Sequence, residues 1–114
     1  MKKVVYNNDY GGFGISEACA SWMADRGNKE CIELIKQHRS RPVSETKYWY
    51  GSLRDTPRHD ALLVMAVEQL GTDIASGSNS LLDIHVLKGD RYYISEYDGS
   101  ESVVEPKDVQ WVHV

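Results

Sequence analysis

Apolar residues recur at helical spacing in three stretches of the chain and alternate with polar ones in its last third. Lys3-Val4-Val5-Tyr6 is short and β-prone, which predicts an N-terminal strand. A breaker cluster follows, Asn7-Asn8-Asp9-Tyr10-Gly11-Gly12-Phe13-Gly14. Ser16 has the chemistry of a helix N-cap and Glu17 that of a first-turn anion, so a helix is expected from about Glu17 to Asp25. Ala18, Trp22 and Met23 form its apolar stripe, and Gly27 stops it. Asn28 caps a second predicted helix, about Lys29 to Arg39, which Pro42 cannot continue. Residues 40–56 read as a loop or irregular hairpin that holds Tyr48-Trp49-Tyr50.

Thr56-Pro57 predicts the start of a third helix, with Pro at the first helical position, running to about Leu70 or on to Ala75. Leu63, Val67, Leu70 and Ile74 mark its stripe. Three strands are expected next: Leu82–Leu87, Arg91–Tyr97 after a turn at Lys88-Gly89-Asp90, and Ser102–Glu105 after the hairpin signal Asp98-Gly99. Trp111–Val114 is a candidate edge strand. The order implies one α+β domain over residues 1–114, with helices on one face of a C-terminal antiparallel β-meander. The expected core is Trp22, Leu63, Val67, Leu70, Ile84, Val86 and Ile94.

Composition narrows the function classes. Of the 114 residues, 41% are hydrophobic and 26% charged, which describes a water-soluble domain. No apolar run reaches the roughly 20 residues of a membrane span, and the N-terminus lacks the apolar stretch of a signal peptide. A cytoplasmic protein with no membrane partner is therefore expected. Net charge is −4, with eight Lys and Arg against six Asp and Glu in residues 1–50, and five against eleven in residues 51–114. Such a chain is poorly suited to neutralise the phosphates of a nucleic acid. Lys36, His38, Arg39 and Arg41 form its best basic patch, which also reads as cations complementing a helix C-terminus. Cys19 and Cys31 form no C-x-x-C pair, and with His38, His59, His85 and His113 they show no metal-ligand spacing. No metal, cofactor or catalytic residue is assigned; the cysteines are expected as reduced, buried thiols.

Two segments carry candidate binding chemistry. Gly11, Gly12 and Gly14 lie between a strand and a helix, where main-chain amides can approach an anion; the alternative is a tight turn with Phe13 in the core. Arg54, Arg58 and His59 surround the expected start of the third helix and could grip a phosphate; the alternative is a solvated first turn. Trp49 could stack on a base. If the two helix starts converge, these residues make one phosphate pocket. Glu96, Asp98, Glu101 and Glu105 read as a solvated hairpin edge. The apolar C-terminal strand and the Tyr48-Trp49-Tyr50 segment suggest a homo-oligomer.

Val4–Asn7 followed by Tyr10–Ala18 resembles the N-terminus of a family of small hypothetical proteins of bacteriophages and prophages, which reads Tyr-Gly-Gly-Phe-Gly-Leu-Ser after a strand. Arg58–Val64 with Val67–Gly71, and Tyr93–Glu101, resemble that family's later helix and its Ile-x-Glu-Tyr-Asp-Gly-x-Glu hairpin. The resemblance covers about half of the chain. Asn8 stands where the family has Cys and Ala61 where it has Pro, and residues 29–56 have no counterpart. It implies a small phage accessory protein in the host cytoplasm, acting by binding and not by catalysis. It also suggests a relation to the Thoeris anti-defence proteins, which sequester cyclic ADP-ribose signals. The function expected is sequestration of a host immune nucleotide. Inhibition of a host protein through the acidic C-terminal sheet, or a small hydrolase, are the alternatives.

Overall fold

Ser16 and Asn28 start the first two helices as local chemistry dictates. In the computed structural model, which describes residues 2–42, 44 and 49–106, Ser16 Oγ accepts the Cys19 N–H at 3.0 Å and opens α1 (Glu17–Asp25). Asn28 Oδ1 accepts the Cys31 N–H at 2.8 Å and opens α2 (Lys29–Ser40). Gly27, at φ +95°, supplies the left-handed turn between them. The two helices pack on each other through Cys19, Ala20, Met23, Cys31 and Ile35, all buried.

The third helix, α3 (Ala61–Leu70), begins later than Thr56-Pro57 suggests, with Asp60 as its cap accepting the Leu63 N–H at 3.1 Å. The preceding residues are engaged elsewhere. Thr56 N–H donates to Glu30 at 2.8 Å, and the Arg58 carbonyl accepts the Val5 N–H at 2.8 Å. Residues 56–59 are therefore tied to α2 and the first strand and cannot enter a helix. Gly71, at φ +85°, ends α3, and a single turn, α4 (Thr72–Ala75), follows. Ile74 consequently leaves the α3 stripe and is 57% exposed.

The α+β order is as expected: β1 (Lys3–Asn7), the helices, then β2 (Leu82–Val86), β3 (Tyr93–Tyr97) and β4 (Ser100–Val104). The strands do not form one meander. β2 pairs antiparallel with β1, in register Lys3↔Val86 to Asn7↔Leu82. β3 and β4 make a separate antiparallel hairpin, Tyr93↔Val104 to Tyr97↔Ser100, which lies beside β1 through β4. Its turn is Asp98-Gly99, at φ +51° and +87°, the two positive values that a tight two-residue hairpin demands. Lys88-Gly89-Asp90 does not fold β2 back onto β3, because the Lys88 and Gly89 N–H groups both donate to Glu105, at 2.9 and 3.0 Å.

α3 packs on both strands of the β1–β2 pair, and the core lies between them and α1. Val4, Val5, Ile15, Leu63, Val67 and Leu82 are buried there. Of the expected core, Leu63 and Val67 are buried, Trp22, Leu70, Ile84 and Ile94 are half-buried, and Val86 is exposed. The hairpin explains part of this difference, since no residue of β3 or β4 joins the apolar cluster. Trp22 stays at the surface beneath the Arg26 guanidinium, 3.6 Å from its ring centroid. No helix among the described residues is long and apolar enough to cross a membrane. The expected strand Trp111–Val114 lies outside the described residues.

Leu63 has no solvent exposure, so truncation leaves a cavity that the packed layers cannot close. Leu63→Ala is expected to lower the free energy of unfolding by about 2–5 kcal/mol, read from urea denaturation.

Candidate functional site

Where apolar contacts are missing under the hairpin, buried polar groups replace them. Glu101 of β4 is 6% exposed and accepts both Arg58 Nη atoms, at 2.5 and 2.9 Å, together with the Asn7 main-chain N–H at 2.9 Å. The Asn7 side chain is fully buried; its Nδ2 donates to Asp9 O at 2.7 Å and Gly99 O at 2.8 Å, and its Oδ1 accepts the Leu81 N–H at 2.9 Å. The Arg58 guanidinium also lies 3.5 Å over the Phe13 ring centroid. A second anchor is Glu105, 2% exposed, which accepts from His85 Nε2 at 3.0 Å as well as from the Lys88 and Gly89 amides.

These contacts press the hairpin tip onto the glycine segment. A Cβ on Gly99 would stand 2.6 Å from the Gly12 nitrogen, and one on Gly11 would stand 2.3 Å from the Asn79 carbonyl oxygen. Both positions therefore require glycine for close backbone approach. Three segments distant along the chain meet here: Asn7 with Gly11–Phe13, Arg58, and Gly99 with Glu101. Glu101 and Glu105 are thus buried anchors and not the solvated edge expected of them, while Glu96 and Asp98 are exposed.

The residues expected to form a phosphate pocket are only partly brought together. Gly11, Gly12, Gly14 and Trp49 line one cleft of about 190 Å³, with the turns at Gly51-Ser52 and Gly77–Ser80 as its other walls. Trp49 is fixed in it by its Nε1–H, which donates to Ile15 O at 2.9 Å, and by an edge contact with His38 at 5.1 Å. Arg58 adjoins this segment through Phe13, but Glu101 occupies its guanidinium, and it lies ahead of α3 instead of in a first turn. Arg54 lines a neighbouring cleft that shares Tyr50 and Ser52 with the glycine cleft. His59 belongs to a different cleft, where its Nδ1 meets Tyr92 Oη at 2.8 Å. At each helix N-terminus one amide is already taken, the Cys19 N–H by Ser16 and the Leu63 N–H by Asp60.

His38 also departs from expectation. It turns inward from α2, 7% exposed, and so leaves the basic patch to Lys36, Arg39 and Arg41. Glu30 receives the main-chain N–H groups of Arg54, Asp55 and Thr56, at 2.6, 3.0 and 2.8 Å. Burial alone would raise its pKa, but these hydrogen bonds together outweigh it and hold the carboxyl below the ordinary value of 4.5. Burial pushes the Cys19 and Cys31 thiols up to about 12, which leaves both as small apolar groups at neutral pH. Among the described residues no three His, Cys, Asp or Glu side chains are grouped to hold a metal ion.

The chain matches no protein-family model, and neither a curated protein nor a solved structure shows significant similarity to it. The fold and the clefts therefore define its class directly: a small α+β domain whose acidic hairpin is docked by buried carboxylates.

Two outcomes follow from these anchors. Arg58→Ala leaves Glu101 buried without its cation and is expected to destabilise the fold by about 3 kcal/mol in a denaturant titration, not to be neutral. The His85 hydrogen bond, chiefly, and the Gly89 and Lys88 amides lower the Glu105 pKa from 4.5. A depressed carboxylate contributes stability above its unfolded value and loses it as pH falls through the folded one. Unfolding free energy should accordingly fall below about pH 4.5, and Glu105→Gln should flatten that part of the profile.

Proposed function

We propose that the protein is a small binding protein that sequesters a nucleotide signal, with the glycine-lined cleft as its site. The observation that carries this reading is the meeting of Gly11, Gly12 and Gly14 with Trp49 and Tyr50 in one cleft. Glycine backbone permits a ligand to approach main-chain amides closely, and an aromatic face beside it accepts a base by stacking. A cleft of about 190 Å³ holds a base or a ribose and not a whole nucleotide. The phosphates would then extend past Tyr50 and Ser52 to Arg54, in place of Arg58. The sequence resemblance supports the biological setting, a phage accessory protein that withholds a host immune signal such as cyclic ADP-ribose. A hydrolase working through the hairpin carboxylates is less well supported, because Glu101 and Glu105 are engaged in docking.

Thermal unfolding against cyclic ADP-ribose and a panel of cyclic mono- and dinucleotides tests the reading. A ligand at 100 times its Kd adds about 2.7 kcal/mol of stability. One panel member should raise the Tm, and Tyr50→Ala, at a 63% exposed position, should remove the shift without changing the unliganded Tm. Absence of a shift with every member would sink the proposal.

A further inference from the structure

We propose that the outer edge of β3 is a docking edge for an extended, basic segment of a partner protein. The surface is separate from the glycine cleft, to which no residue of β3 contributes.

Three observations carry it. First, among the described residues β3 pairs with β4 alone, and none hydrogen-bonds main-chain groups of Tyr93–Tyr97 from the other side. The two-residue turn makes Tyr97 and Ser100 a hydrogen-bonded pair. The alternation of an antiparallel ladder then turns the main-chain N–H and C=O of Ile94 and Glu96 outward. Such an edge accepts an added strand.

Second, the strand is exposed and aromatic. Tyr93 and Tyr97, on one face of the strand with Ser95 between them, are 57% and 79% exposed. Tyrosine is among the side chains that anchor interfaces, and here buried Glu101 of β4 and Glu105 just after it hold the hairpin in place before any partner arrives.

Third, the exposed charge on β3 and at its tip is negative, the cation Arg91 lying before the strand. Glu96 stands directly opposite Glu101 in the register. Arg58 neutralises Glu101, while Glu96 is exposed and forms no ion pair among the described residues. A cation brought to Glu96 meets an exposed carboxylate that has no ion-pair partner among the described residues. Asp98 adds a second exposed carboxylate at the tip. The same argument disfavours a second copy of this edge, which would set Glu96 and Asp98 against themselves. A Lys- or Arg-bearing strand fits.

Selection of a random octapeptide library on the immobilised full chain tests the proposal. Enriched peptides should carry Lys or Arg at alternate positions. Their binding should fall at least tenfold on Glu96→Lys and on Tyr97→Ala. A central proline in the peptide should abolish it, and the bound peptide should slow amide exchange at Ile94 and Glu96. The proposal is overturned if no peptide is enriched, if the enriched peptides bind Glu96→Lys as tightly as wild type, or if the proline versions bind equally. Light scattering that shows wild type self-associating, and Glu96→Lys not, would assign the edge to a second copy and overturn it too.

Discussion

The Glu101 carboxylate is the contact on which the arrangement of this molecule depends. It is buried with the Arg58 guanidinium in a two-bonded geometry and with the Asn7 amide on a remaining lone pair. A carboxylate removed from water is costly unless its hydrogen-bonding capacity is met, and here it is met by three donors. The hairpin contributes no apolar residue to the core, so this ion pair, the Asn7 side chain and Glu105 set where β3 and β4 lie. Docking by charge and not by oil leaves Tyr93 and Tyr97 exposed, and among the described residues β3 has no second strand partner.

That arrangement also redistributes the chemistry available for binding. Arg58 is flanked by Phe13 and engaged by Glu101, and one first-turn amide of each helix, Cys19 of α1 and Leu63 of α3, is taken by its own cap. An anion site built on those groups would compete with the contacts that hold the fold. The glycine cleft offers main-chain surface, Trp49 and Tyr50, with the Arg41 guanidinium 4.9 Å over the Tyr50 ring and Arg54 in the adjoining cleft. The ligand chemistry that fits is stacking and close approach, with phosphate contacts at the periphery.

Asn7, Gly11–Phe13, Arg58, Gly99 and Glu101 come from distant parts of the chain and meet at one place. Gly11 and Gly99 are in backbone contact with Asn79 and Gly12, where no side chain fits. The polar members satisfy one another. Together they are a structural requirement of this fold, and function attaches to the surfaces they hold apart: the glycine cleft on one hand, the β3 edge on the other.

Part of the short-range chemistry was legible in the chain. Ser16 and Asn28 cap helices whose amides lie three residues on, and Asp98-Gly99 closes a hairpin whose positive φ values come from those two residues alone. Leu63 and Val67 declare a buried helical face by spacing. Of the site, the glycine turn and Trp49 were recognisable as residue types suited to close approach and stacking. Their sharing of one cleft was not, because it depends on the turns at residues 51–52 and 77–80 arriving from far along the chain. Tertiary structure alone decided the rest. The start of α3 moved to Ala61 because Glu30 and Val5 claim the main chain of residues 56–58. β2 joined β1 instead of β3. Glu101 and Glu105, which read like Glu96 and Asp98 along the chain, became buried because Arg58 and His85 meet them from 43 and 20 residues away. A carboxylate is written the same way whether it faces water or a guanidinium, and only the folded chain brings the guanidinium to it.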